Sequence, residues 1–242
     1  MNSEKHSKKK KKWRPFANFC YDFVKITGAI PMLLWMRPKI YYPFGRPKKK
    51  GALLISANHR SLLDPIVVHL AFAARRLNCL ATKDLYTNKA REVFFNQMHC
   101  IVVDKENFSL ASFHAVVNCL KEQKAVVIFP EGRVNRDKGD TLLAFKSGAV
   151  LMAQKANAPI LPIYIVKREK WHQRQRIVVG QPFDVTAYLG KMPTMQALTE
   201  VSDTLREKEV ELREYFEALP IYKKLHPQAA LPEAEEGLVL HE

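Results

Sequence analysis

A chain of 242 residues is long enough for one well-buried domain with a small appendage, and its 47% hydrophobic and 26% charged residues are ordinary for a globular protein. The net charge of +15 is unevenly spread: residues 1–50 hold 14 Lys and Arg against Glu4 and Asp22, which leaves only +3 for the other 192 residues and excludes a uniformly basic fold. Cys20, Cys79, Cys100 and Cys119 are widely spaced and fit no metal or redox pattern, so they read as apolar fillers in a reducing compartment.

The chain opens on a basic arm over residues 1–15, with lysines from Lys8 to Lys12 followed by Trp13 and Arg14. Lysine runs bind phosphate backbones without specificity, so a solvated tail and a nucleic-acid contact are both open readings of the arm alone. Residues 16–50 change the balance, because Lys48, Lys49 and Lys50 close off an apolar stretch carrying Phe16, Phe19, Tyr21, Phe23 and Trp35. Lysines and interfacial aromatics bracketing apolar sequence favour an anionic membrane surface, and no nucleic-acid partner is expected. Residues 16–36 are long enough to span a bilayer, yet they contain Asn18, Asp22, Lys25, Gly28 and Pro31. Asp22 and Lys25, three residues apart, can pair on one helical face. The favoured expectation is a helix, or a pair broken at Gly28 and Pro31, lying in one leaflet. A core helix of a soluble domain is the duller alternative, and a signal peptide fits poorly because the apolar part comes late without a small-residue cleavage site.

From residue 51 short β-rich runs alternate with helical ones. Strands are predicted over 52–57, 78–81, 100–104, 125–129, 160–166 and 176–180, and helices over 65–77, 88–96, 109–122, 146–157 and 195–219. This alternation predicts an α/β domain over residues 51–222 with a mostly parallel central sheet flanked by helices. Residues 223–242, rich in Pro, Ala and Glu, read as a mobile tail.

Two motifs fall at predicted strand ends, where α/β sheets gather their active sites. Asn58-His59 follows the first strand, and Asp64-Pro65 opens the helix after it. Asp64 reads structurally as an N-cap with proline in the first turn, and Ser61 with Asp64 resembles a capping box. It reads chemically as the carboxylate that fixes the His59 tautomer and frees the other ring nitrogen to take a proton. The second motif, Phe129-Pro130-Glu131-Gly132-Arg133, ends another strand. Gly132 permits a turn, Glu131 can anchor the loop, and Arg133 suits a phosphate. Lys105 offers a second cation after Val102-Val103-Asp104, and Lys146-Ser147-Gly148 can add backbone donors at a helix start.

With Ala158-Pro159-Ile160-Leu161-Pro162-Ile163 these blocks occur in an order and spacing that resembles the glycerolipid acyltransferase family, whose best-known members are the 1-acyl-glycerol-3-phosphate acyltransferases. The resemblance covers roughly residues 50–180. It implies that His59 deprotonates an acceptor hydroxyl while Asp64 orients it, and that the alkoxide attacks an acyl thioester. It further implies that Lys105, Glu131, Gly132 and Arg133 hold the phosphate of a lysophospholipid acceptor, with Pro162 on the donor or acyl-chain side. The co-substrate is acyl-CoA or acyl carrier protein, no cofactor or metal is implied, and the expected place is the cytoplasmic face of the cell membrane. Two blocks depart from the family pattern: Lys105 stands where arginine is usual, and Arg133 follows Gly132 directly where threonine usually intervenes. Both departures bear on acceptor identity more than on chemistry. Rival readings are a lysophospholipid acyltransferase or transacylase with another acceptor, and a non-enzymatic lipid- or nucleic-acid-binding module.

Overall fold

The Val- and Ile-rich runs after residue 50 pair into one sheet whose central strands are buried on both faces. The computed structural model describes residues 2–104, 109–137, 141–168, 170–190 and 192–225, with the backbone alone for 2–17 and 223. In chain order the elements are α1 (Asn2–Met36), β1 (Lys39–Tyr41), β2 (Leu53–Ala57), α2 (Asp64–Ala71), β3 (Leu77–Thr82), α3 (Lys89–Gln97), β4 (Ile101–Val103), α4 (Leu110–Lys121), β5 (Ala125–Ile128), α5 (Gly148–Ala156), β6 (Ile160–Val166), β7 (Arg176–Val179), α6 (Met195–Ala218) and α7 (Pro220–Leu225).

The seven strands lie in the order β1-β7-β6-β2-β5-β3-β4. All neighbours run parallel except β6 and β7, so the expected mostly parallel α/β sheet is present, with β7 and β1 reversed at one edge. Every residue of β2, β5 and β6 is buried, as β-branched strands covered on two faces require. One face packs under α4, α5 and α6 through Val116, Leu120, Val150, Met152, Leu198 and Leu205. The other packs under α1 and α2 through Met36, Val67, Val68, Leu161 and Ile163.

Side-chain caps fix several helix starts: Asn88, Ser109 and Thr194 each accept a backbone N–H from the first turn of α3, α4 and α6. Asn157, left-handed at φ 50°, closes α5. Three expectations change. The segment around Pro31 is not a broken pair, because α1 runs unbroken to Met36, where Arg37 turns left-handed at φ 41°. Packing of Ala29, Met32 and Trp35 on the sheet outweighs the proline's local cost. Helix α2 ends at Ala71 rather than Leu77: Phe72 leaves the helical conformation as its C-cap, and Leu77 belongs to β3, where it pairs with Ala125 and gives its N–H to the Tyr21 hydroxyl at 2.9 Å. Asp22 does not pair with Lys25: it binds Arg76 (2.6 and 3.0 Å), while Lys25 donates to the Arg75 carbonyl. From residue 226 onward the predicted tail lies outside the described residues; before that, α7 extends to Leu225.

Candidate active site

Strand β2 occupies the middle of the sheet, between β6 and β5, so whatever follows it emerges at the centre of the strands' carboxyl ends. Asn58 comes first and is buried. Its amide oxygen accepts from Ile165 N (2.7 Å) and its amide nitrogen donates to Ile165 O (3.0 Å), which clamps the end of β2 to β6.

His59 follows, 16% exposed. Its Nδ1 lies 3.0 Å from Asp64 Oδ2, and its ring stacks on Phe129 at 4.2 Å between centroids. The same carboxylate oxygen accepts the backbone N–H groups of Arg60 and Ser61, each at 2.7 Å. An ionised carboxylate only accepts, so Nδ1 carries the proton and Nε2 is the nitrogen left to take one. Asp64 is therefore not the helix N-cap. Leu63 occupies that position, and the carboxylate turns back into the loop, where three donors converge on it.

Strand β5 lies beside β2 and delivers the second motif to the same edge. Glu131 is buried and both its oxygens are taken by backbone donors: His59 N at 2.9 Å and Leu143 N at 3.2 Å. It is a strut joining the two loops, and the bond from Asn135 N to His59 O (2.6 Å) makes a second joint. Gly132 has φ +71°, and a side chain there would meet Lys146 Cε at 2.8 Å and Nζ at 2.9 Å. The absent side chain lets the lysine lie across the loop, held at its own backbone by a bond from Lys146 N to Pro130 O (2.9 Å). Gly132, Arg133 and Lys146 are exposed and give a cationic shelf on the loop that Glu131 and Asn135 tie to His59.

The structure thus brings together His59, Asp64, Glu131, Gly132 and Arg133. Pro162 is not among them: it lies inside β6, level with Ser56, and is buried with its ring against Gly180. Lys105 lies outside the described residues. Sequence reasoning missed Lys146 as a side-chain cation, since its spacing from Gly132 gives no hint of contact. It also missed Glu209 on α6, which is fully buried and accepts from Ser56 Oγ at 2.7 Å. The signal was present, because position 209 falls in the inward stripe between Leu205 and Leu212. Burial pushes the Glu209 carboxyl well above the usual range, a rise that Ser56 opposes and the charge of Glu131 reinforces.

A histidine held by a carboxylate, beside an exposed cationic loop at the ends of central strands, is an arrangement suited to general-base chemistry near an anionic group. The acyltransferase family profile matches residues 39–166, more than half the sequence, and the chain belongs to that family, among the glycerolipid acyltransferases. The 1-acyl-sn-glycerol-3-phosphate acyltransferase of Bacillus subtilis is 26% identical over 201 residues, 80% of this chain and 98% of that protein. The Streptococcus pneumoniae protein of the same name is 26% identical over 68% of this chain and 63% of its own length. The fold is that of the crystal structure of the 1-acyl-sn-glycerophosphate (LPA) acyltransferase PlsC from Thermotoga maritima, with a TM-score of 0.58 at 18% identity, over 87% of this chain and 83% of that one.

Proposed function

We propose that the protein transfers a fatty acyl group from an acyl thioester, acyl-CoA or acyl carrier protein, to the hydroxyl of 1-acyl-glycerol-3-phosphate, giving phosphatidic acid. The observation that carries the reading is the His59–Asp64 pair, 3.0 Å apart, next to the Gly132–Arg133–Lys146 shelf. Nε2 of His59 takes the hydroxyl proton as the oxygen attacks the thioester carbonyl. The C–O bond forms, the tetrahedral intermediate collapses, and the C–S bond breaks. The departing thiolate recovers the proton from His59, whose cationic form is stabilised meanwhile by Asp64. Arg133 and Lys146 hold the acceptor phosphate, with Lys105 assigned to the same task by the family resemblance.

The names of the relatives support the acceptor, and α1 supports the setting. Residues Asn18–Met36 are long and apolar enough to cross a membrane, yet one side of the helix is packed on the sheet. Its other side exposes Phe19, Phe23, Ile26, Ile30, Leu33 and Leu34 at helical spacing. Such a helix suits embedding in one leaflet, and the flanking lysines suit an anionic, cytoplasmic bilayer face.

The test is acyl transfer to lysophosphatidic acid by the detergent-purified protein, with both carriers, beside His59→Ala. Wild-type transfer that falls roughly 10²–10⁴-fold in the variant is expected for loss of a general base. Equal rates would make His59 structural, and no wild-type transfer to this acceptor with either donor would reject the assignment.

A further inference from the structure

Glu131 joins the two motif loops, yet its carboxylate is buried with one backbone N–H on each oxygen. A buried charge needs more compensation than two neutral donors supply, and here it comes from a helix late in the sequence. Arg206 on α6 is half-buried and turns the edge of its guanidinium onto the stretch that leads into α5. Its Nη2 donates to Leu142 O at 3.0 Å, and its Nε shares a hydrogen between Leu142 O at 3.3 Å and Leu143 O at 3.2 Å.

The Leu142 carbonyl and the Leu143 N–H are the two ends of one planar peptide group. The carbonyl accepts from Arg206, and the N–H donates to Glu131 Oε2 at 3.2 Å. Cation and carboxylate are thus joined in line through a single amide, which both charges polarise in the same sense, so each bond strengthens the other. Glu131 Oε1 carries the line one step further, to His59 N at 2.9 Å.

The peptide has a firm seat. Leu142 and Phe145 are buried in the core cluster that includes Leu198, Val201 and Leu205 of α6. Three residues after Arg206, Glu209 accepts from Ser56 Oγ on β2, the strand that delivers His59. One turn of α6 therefore reaches both catalytic loops from below, with Glu209 under β2 and Arg206 under the loop that carries Glu131. The charge of Glu131 is felt at Glu209, which sets the strut close to this turn. A lysine at 206 would supply charge but not the fork, since only a guanidinium presents two N–H groups along one edge.

We propose that Arg206 is a positioning residue for His59, acting through the Leu142–Leu143 peptide and Glu131 to set the backbone from which the general base projects. Loss of the guanidinium leaves Glu131 buried with a weakened donor and displaces the acceptor of the His59 N–H, so Nε2 meets the acceptor hydroxyl less well. The phosphate shelf has its own joint, from Lys146 N to Pro130 O, and keeps its place. The effect therefore falls on turnover rather than on acceptor binding. This inference rests on the acyl-transfer reading above.

The experiment is a double-mutant cycle on the full chain, purified in detergent: Arg206→Gln, Glu131→Gln and the two combined, assayed for acyl transfer to lysophosphatidic acid. Arg206→Gln should lower kcat roughly tenfold or more, the scale of one charge-assisted hydrogen bond, with the acceptor KM within about twofold of wild type. Glu131→Gln should lower kcat at least as far. Because the two residues act in one line, the double variant should match Glu131→Gln within about twofold, whereas a merely structural role for Arg206 would multiply the two losses. Multiplied losses, an unchanged kcat in Arg206→Gln, or a loss confined to the acceptor KM each overturn the assignment. Arg206→Lys returns the charge without the fork and should retain part of kcat; it replaces Arg206→Gln in the cycle, read the same way, if that variant fails to fold by circular dichroism. Wild type is measured first: no transfer to this acceptor defeats the proposed function and this inference with it, while an active wild type with a multiplicative cycle defeats this inference alone.

Discussion

Helices α1 and α6 are the two longest in the protein, and each lays one side on an opposite face of the sheet. Their inner sides obey the same rule. Tyr21, Met32, Trp35 and Met36 face inward from α1; Leu198, Val201, Leu205, Leu212 and Phe216 do so from α6. Their outer sides differ. Helix α6 presents Glu207, Glu211 and Glu214 to solvent, whereas α1 presents Phe19, Phe23, Ile26, Ile30 and Leu34, with Phe19 66% and Leu34 74% exposed. A helix that has already satisfied its packing on one side and still exposes an apolar row on the other is unfinished in water. The bilayer contact proposed above would complete α1; α6 needs nothing more.

The largest expected effect breaks that comparison at α1. Ile26→Glu with Ile30→Glu removes two residues from the outer row without touching the sheet. Burying each isoleucine is worth about 1.5–3 kcal/mol, so partition of the full chain onto anionic vesicles should fall by roughly 100-fold or more in a sedimentation assay. Glu207→Gln with Glu211→Gln on α6 should leave partition within about twofold. If the α1 variant binds vesicles as wild type does, the outer row is not a membrane surface. If it unfolds by circular dichroism, the row is core rather than surface.

The two motif loops were legible because each follows a run of β-branched residues that forms a strand on its own merits, so His59 and the Phe129–Arg133 segment could be set at strand ends from local pattern. That β2 and β5 are neighbours was not legible, because parallel crossovers let chain order and sheet order differ. The Glu131–His59 strut depends on that adjacency, and so does the lysine lying over Gly132. Strand β1 escaped because three residues between Pro38 and Pro43 show no period. The reach of α2 was overestimated because its apolar run continues into Leu77, which the sheet claims through Ala125 of β5 and the Tyr21 hydroxyl, partners about fifty residues away on either side.

A smaller effect sharpens the comparison from the side of α6, whose inner stripe contains one acid. Glu209 accepts from Ser56, while its second oxygen and Ser202 Oγ have no hydrogen-bond partner among the described residues. Because burial raises its pKa in the fold, the folded state holds a proton that the unfolded state releases above the ordinary value of about 4.3. Stability is therefore greatest below that value and declines as pH rises toward the folded pKa. Glu209→Gln keeps an acceptor for Ser56 and has no charge to bury. Its melting temperature should exceed that of wild type by about 2–4 °C at pH 8, the response of a domain this size to about 1 kcal/mol, and the gap should close toward pH 5. A pH-independent gap would uncouple this carboxyl from folding.

The smallest effect concerns what ties α1 to the domain. Asp22 and Arg76 form two hydrogen bonds, and the guanidinium bond holds the carboxyl below its usual pKa. Both side chains are largely exposed, where ion pairs contribute about 0–1 kcal/mol. Two other ties lie close by on the same helix: the buried Tyr21 hydroxyl takes the Leu77 N–H, and Lys25 donates to the Arg75 carbonyl. Asp22→Asn should therefore lower the melting temperature by no more than about 2–4 °C near neutral pH. Since the folded pKa is depressed, the pair's contribution is present above the usual carboxylate range and disappears as pH falls through the folded value, so wild type and variant should converge in acid. Tyr21→Phe, which strands a buried backbone N–H, should cost more, about 1–3 kcal/mol. If Asp22→Asn proved the costlier change, α1 would be held to the domain by its exposed charges rather than by its buried side, and the inner sides of the two helices would no longer follow one rule.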